Sequence, residues 1–153
     1  MKNHCIPFSN LSHTDQLLIG GKNASLAEMV KELSHLGIKI PEGFAITTEA
    51  YKAFLSENDL WEKLKTELES LDKVAFSNLG NIGNICRDLM KSGRIPEKTK
   101  QEIRSAYYSL GGTLPISVAV RSSATAEDLP TASFAGQHDS FLNIKGEEGW
   151  LSP

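Results

Sequence analysis

The chain has 153 residues, a length for one domain with one core, and at 40% hydrophobic and 23% charged it has the balance of a water-soluble globular protein. Its net charge of -3 lacks the basic excess of a nucleic-acid-binding surface, although one or two local cations suffice to hold a phosphate. The two cysteines, Cys5 and Cys86, form neither a CxxC pair nor a Cys/His cluster, which argues against a disulfide framework or a structural zinc. No stretch reads as a signal peptide or a membrane span, so the expected setting is the cytoplasm, with neither nucleic acid nor membrane as partner.

In chain order, Leu17-Leu18-Ile19 halts at Gly20-Gly21 and reads as a short strand or extended segment entering a tight turn. Leu26, Met29, Val30, Leu33 and Leu36 recur at helical spacing and predict an amphipathic helix that buries this stripe. Either Asn23 or a Ser25/Glu28 capping box can start it; Gly37 suits its end, and Pro41 stops it. Residues 43–47 read as a strand. Thr47 or Thr48 then caps a helix carrying Tyr51, Phe54 and Leu55, and a further helix runs through Leu60, Leu64, Leu68 and Leu71. Residues 74–91 and 97–110 read as helices separated by Gly93 and Pro96, the second with Ile103, Tyr107 and Leu110 on one face. After Gly111-Gly112 and Pro115, residues 116–120 form a β-branched run of the kind found in buried strands. A polar stretch at 121–128 and a small-residue loop at 132–137 precede another strand at 140–144, giving an α/β or α+β class with no internal repeat.

Three places suit chemistry. Gly20-Gly21-Lys22 stands before a helix, where glycines let the backbone approach a ligand, free N–H groups and the helix dipole favour an anion, and a lysine adds charge. The Walker A spacing is absent, and a plain Gly-Gly turn with a solvated Lys22 is the competing interpretation. Arg121, followed by Ser122, Ser123 and Thr125, ends a strand, where an arginine fork can grip a phosphate and hydroxyls can add hydrogen bonds. The competitor is a polar loop with Arg121 paired to Glu127 or Asp128. Residues 133–137 suit a flap closing over a ligand, or else a hairpin with Phe134 in the core. His4, His13, His35 and His138 have no metal-ligand spacing, and Glu127-Asp128 reads more readily as a solvated acidic pair than as a metal site.

These blocks carry a resemblance. Gly20-Gly21-Lys22-Asn23-Ala24-Ser25-Leu26-Ala27-Glu28-Met29 resembles the opening motif of the phosphoenolpyruvate synthases (pyruvate, water dikinases), and Pro41-Glu42-Gly43-Phe44-Ala45-Ile46-Thr47-Thr48 resembles their next block. AVRSSATAEDLPTASFAGQHDSFLN, within 118–143, is close to a signature of that family. The blocks follow family order, and the likeness covers nearly the whole chain.

The resemblance implies that residues 1–153 are the N-terminal part of an ATP-grasp nucleotide-binding domain, helices with a small mixed sheet. It implies that Lys22 and Arg121 contact ATP phosphates, that Gly136 approaches them through its backbone, and that Ser122, Ser123 and Thr125 add hydroxyls. No catalytic or metal-ligating residue is implied in this segment; the Mg2+ that the family requires is expected to be held elsewhere. In the family this domain phosphorylates a histidine on a mobile central domain, which carries the phosphoryl group to pyruvate in a C-terminal barrel. ATP, pyruvate and water become phosphoenolpyruvate, AMP and phosphate. The central and barrel domains are expected to be absent here, so pyruvate would be reached only through them.

His138 stands where a glutamine is common in the family. Pyruvate phosphate dikinases, rifampicin phosphotransferases and glucan water dikinases share the nucleotide-binding domain, and Asn23-Ala24-Ser25 is nearer to the synthases than to the antibiotic kinases. A segment of such a relative, or a free-standing non-catalytic nucleotide-binding or interaction module, stands as the alternative. Strands at 116–120 and 140–144 that lack further sheet partners predict a homo-oligomer.

Overall fold

The computed structural model describes residues 2–112, 114–125, 128–129, 132–133 and 139–151. Strand β1 (Cys5–Pro7) pairs antiparallel with β2 (Phe44–Ile46), Ile6 facing Ala45. The chain between them forms 3-10 turns at Phe8–Asn10 and His13–Asp15, helices α1 (Gln16–Ile19) and α2 (Gly21–Leu33), and a 3-10 turn at Ser34–Leu36.

The expected strand at Leu17-Leu18-Ile19 is a helical turn instead. A capping box explains it: Asp15 Oδ2 accepts the Ser12 N–H and the Ser12 hydroxyl, both at 2.9 Å, and commits the following residues to helix. Helical geometry then buries Ile19 while leaving Leu17 in solvent.

Helix α2 begins earlier than either predicted cap. Gly20 takes the N-cap position, and Asn23 is already inside the helix, its amide donating to the Ile19 carbonyl at 2.8 Å. The predicted stripe is only partly buried, with Leu26, Val30 and Leu33 half-buried, and the fully buried face is a different one. Gly21, Ala24 and Ala27 face Leu11, Ile19 and Ala45 in the core, while Met29 and Leu36 are exposed. Small residues allow the helix close to its neighbours, and that close approach decided its rotation. Gly37 ends the segment in the left-handed region at φ 76°, as expected.

Four helices follow: α3 (Thr48–Glu57), α4 (Leu60–Glu69), α5 (Leu79–Ser92) and α6 (Glu97–Gly111). Thr47 occupies the N-cap of α3, but its hydroxyl donates to the Asn3 carbonyl at 2.9 Å rather than to the helix. Helix α4 packs against α3 and α5, and α6 packs against β1. The expected helix at 74–91 starts only at Leu79. Asp72 accepts the N–H groups of Val74 and Ala75 at 3.1 and 3.0 Å and the Ser77 hydroxyl at 2.6 Å, so a side chain takes donors that a helix would need elsewhere.

The remaining elements are β3 (Ser117–Arg121), β4 (Asp128–Leu129), β5 (Ala132–Ser133), β6 (Ser140–Lys145) and α7 (Gly146–Leu151). β3 runs antiparallel to β6, with Arg121 opposite Ser140, and β4 pairs with β5. The described strands form three two-stranded antiparallel sheets, not the mixed sheet implied by the resemblance. Each strand has a single antiparallel neighbour, and no described strand lies beside one to make a parallel pair. β3 is not fully buried either: Val118 and Val120 are half-buried while Ser117, Ala119 and Arg121 are exposed, the alternation of a ribbon covered on one face. α6 anchors this ribbon. The Tyr107 hydroxyl donates to the Ile116 carbonyl at 2.6 Å and accepts the Gly146 N–H at 3.1 Å, while Arg104 pairs with Glu147.

Candidate functional site

The two polar motifs meet. Gly20 sits at φ 81° and ψ 162°, a conformation essentially reserved for glycine, between the end of α1 and the start of α2. Its N–H donates to the Gln16 carbonyl at 2.8 Å, and its carbonyl accepts the Ala24 N–H at 3.1 Å. This bend turns the first residues of α2 toward the loop after β3. The Gly21 N–H donates to the Ala124 carbonyl at 3.2 Å, and the Asn23 N–H donates to Ser123 Oγ at 3.4 Å across 100 positions of sequence. A Cβ on Gly20 would lie 2.3 Å from Ser123 Oγ and 3.0 Å from the Ala124 oxygen.

Lys22 stands half-buried in the first turn of α2, and Arg121 stands exposed at the end of β3, immediately before the loop that touches that turn. Ser122 is exposed, while Ser123 and Thr125 are half-buried in the same loop. Lys22, Arg121, Ser122, Ser123 and Thr125 therefore belong to one local structure. Gly136 lies outside the described residues, as do Glu127, Phe134, Gln137 and His138.

One expectation changes. The N–H groups at the start of α2 are not all open to a ligand, because those of Gly21 and Asn23 face the 123–124 loop. Lys22 and Arg121 carry positive charge and Ser122, Ser123 and Thr125 carry hydroxyls, the chemistry that a polyanion requires. Mg2+ prefers carboxylate oxygens. Among the described residues no group of three or more His, Cys, Asp or Glu side chains stands close enough to hold a metal ion.

Two features had no legible signal in the sequence. A cavity of about 500 Å³ lies between β1, α2 and α6, with Cys5, Phe8, Val30, Phe44, Glu102 and Leu110 on its walls, away from both Lys22 and Arg121. Burial, then the Glu102 charge, pushes the Cys5 thiol up to about 12, so it is an unreactive wall residue. Beside it the buried His4 shares a 2.7 Å hydrogen bond between Nδ1 and Thr99 Oγ1. Its partner is 95 positions away, so no local pattern announces it.

Residues 16–152 match the family model described as "Pyruvate phosphate dikinase, AMP/ATP-binding domain". The chain is 48% identical over 147 residues to a phosphoenolpyruvate synthase of Neisseria meningitidis, an alignment covering 94% of this chain and 18% of that protein. It is 44% identical over 146 residues to a phosphoenolpyruvate synthase of Deinococcus radiodurans, covering 95% of this chain and 18% of that one. A phosphoenolpyruvate synthase of Aquifex aeolicus is 45% identical over 137 residues, 88% of this chain and 16% of the relative. The chain thus spans less than a fifth of the length of these relatives. With the family model covering nearly all of the sequence, the chain belongs to the pyruvate phosphate dikinase AMP/ATP-binding domain family.

Proposed function

We propose that this chain is the ATP-binding segment of a phosphoenolpyruvate synthase, the N-terminal part of an ATP-grasp domain whose remainder lies outside residues 1–153. The carrying observation is the junction of α2 with the 121–125 loop, which brings the Lys22 and Arg121 motifs together. Phosphoryl transfer asks a binding domain for positioning and charge neutralisation rather than for a nucleophile. Lys22 supplies a point charge toward the ATP phosphates, and Arg121 supplies a planar fork that can hold two phosphate oxygens at once. Ser122 and Thr125 add hydroxyl donors, and Gly136 brings its backbone to the phosphates.

That assignment fits the reaction of the family it resembles: ATP and water yield AMP, phosphate and a phosphohistidine on another domain, and that histidine passes its phosphoryl group to pyruvate, giving phosphoenolpyruvate. Mg2+ would be held by residues outside 1–153. The cytoplasm suits two free thiols. The exposed β3–β6 ribbon, with Leu142 67% exposed, favours self-association of the isolated chain; a clean monomer by light scattering would refute this.

The test is pyruvate-dependent AMP formation by the native polypeptide carrying this segment, with Lys22→Ala and Arg121→Ala compared with wild type. Strong loss of ATP-dependent turnover is expected in both. Wild-type turnover in both would remove the site assignment, and AMP formation only with some other acceptor would move the chain to a related phosphotransferase.

A further inference from the structure

We infer that Gly20 and Ser123 are positioning residues that hold the Lys22 turn in register with the Arg121 loop; the inference rests on the assignment of those two cations to ATP phosphates. Lys22 and Arg121 lie on elements with no sequence proximity, and Gly20, Gly21 and Asn23 on one side meet Ser123 and Ala124 on the other. On one side Gly20 presents bare backbone: an added Cβ would meet Ser123 Oγ at 2.3 Å, the Ser123 carbonyl carbon at 2.9 Å and the Ala124 oxygen at 3.0 Å. On the other side Ser123 Oγ accepts the Asn23 N–H at 3.4 Å, and Ala124 accepts that of Gly21 at 3.2 Å. Ser123 and Ala124 thus take the place of a local cap for α2, which has no side-chain cap of its own.

The residues flanking Lys22 are both tied to the loop that follows Arg121. A shift of the 123–124 loop therefore moves the α2 turn and the lysine it carries. Asn23 stiffens the same joint, its amide holding the Ile19 carbonyl at 2.8 Å. Ser123 differs from its neighbours in this respect. Ser122 is exposed, whereas the Ser123 hydroxyl is engaged with the helix start and acts on phosphate through Lys22.

The experiment is steady-state kinetics on the native polypeptide carrying this segment, with ATP and acceptor varied separately. Ser123→Ala should raise the KM for ATP about fivefold, the effect of losing one capping hydrogen bond, with kcat and the KM for pyruvate unchanged. Ser123→Thr, which keeps the oxygen, should stay near wild type. Gly20→Ala should lose more, and Ser123→Ala should partly restore it by removing the 2.3 Å obstruction. In a Lys22→Ala background Ser123→Ala should change nothing further, as expected for residues acting as a unit.

An unchanged ATP KM in Ser123→Ala, or equal loss in Ser123→Thr, overturns the coupling. A full additional loss in the Lys22→Ala background makes Ser123 an independent phosphate contact and also overturns it. Should Gly20→Ala fail to fold, the Ser123 series decides alone. Wild-type ATP affinity in Lys22→Ala and Arg121→Ala would instead remove the underlying site; raised KM in those two beside an unaltered Ser123→Ala removes only the coupling.

Discussion

Glu102 Oε2 accepts the backbone N–H of His4 at 2.6 Å across 98 positions of sequence. The same oxygen accepts the Cys5 N–H at 3.0 Å, and Lys98 stands 3.5 Å from the other carboxylate oxygen. One side chain of α6 thereby satisfies two donors at the start of β1, fixing the N-terminal strand to the helix.

Glu102→Ala should destabilise the fold by about 1.5–3 kcal/mol, the range for lost hydrogen bonds to a charged group, and Glu102→Gln by less because an oxygen acceptor remains. Burial raises this carboxyl, but the Cys5 and His4 N–H groups and Lys98 outweigh it, and the net shift is below the ordinary 4.5. A carboxyl lowered on folding contributes stability that is fully present above its unfolded value and lost as pH falls through the folded one. The urea midpoint should therefore drop below pH 4.5 more steeply in wild type than in Glu102→Gln. Parallel pH profiles would show that the carboxylate does not clasp the strand.

Asp72 gives a second acid-labile point. The Ser77 hydroxyl, then the Ala75 and Val74 N–H groups, lower it from 3.8 to about 2. Its contribution is complete above 3.8 and disappears as pH falls toward 2. Asp72→Asn should flatten that part of the acid titration and speed amide exchange at Val74 and Ala75. Within the same loop Phe76 is held at φ 53°, a costly region for a bulky residue, with its side chain 54% exposed. Phe76→Gly should relieve about 1 kcal/mol and raise Tm by about 2–4 °C. A lower Tm would mean that the ring's packing outweighs the backbone strain.

Gly93 has an ordinary φ of -72°, so its requirement is space rather than conformation. A Cβ there would lie 2.4 Å from Phe54 Cζ and 3.3 Å from Leu60 Cδ1. Gly93→Ala should cost about 1–3 kcal/mol by overpacking the α3–α4 side of the bundle. Phe54→Leu, which withdraws the ring edge, should recover part of that loss when the two changes are combined. Additive thermal shifts in the double variant would place the cost elsewhere.

The sequence was most legible where the signal was local. Helix α6, the Gly37 stop, the short strand at Phe44–Ile46 and the two strands flanking the polar loop follow from spacing, glycine and β-branched runs. It misled where a distant contact or a side chain overrode periodicity. Leu17-Leu18-Ile19 became helix through Ser12 and Asp15 just upstream, and α2 buried Gly21, Ala24 and Ala27 most deeply rather than its large apolar residues. Lys22 and Arg121 were each visible as cations beside backbone breaks. The joint between the segments that carry them was not, since Gly20 and Ser123 meet across more than 100 positions with no local pattern to mark the pairing.

Arg121 tests whether geometry or charge alone matters at the site. It lies exposed at the end of β3, with the Ser122 and Ser123 hydroxyls directly after it. Arg121→Lys keeps the charge and removes the planar fork, so a bidentate phosphate contact should weaken by about tenfold in ATP affinity, and Arg121→Ala by about a hundredfold. Neither change should alter thermal stability by more than about 0.5 kcal/mol, because exposed surface substitutions rarely do. The measurement is ATP affinity by calorimetry at two salt concentrations on the native polypeptide carrying this segment. Equal affinity in wild type and Arg121→Lys, with a loss only in Arg121→Ala, would show that Arg121 acts as a point charge. A graded loss from arginine to lysine to alanine would show that the fork itself holds the nucleotide.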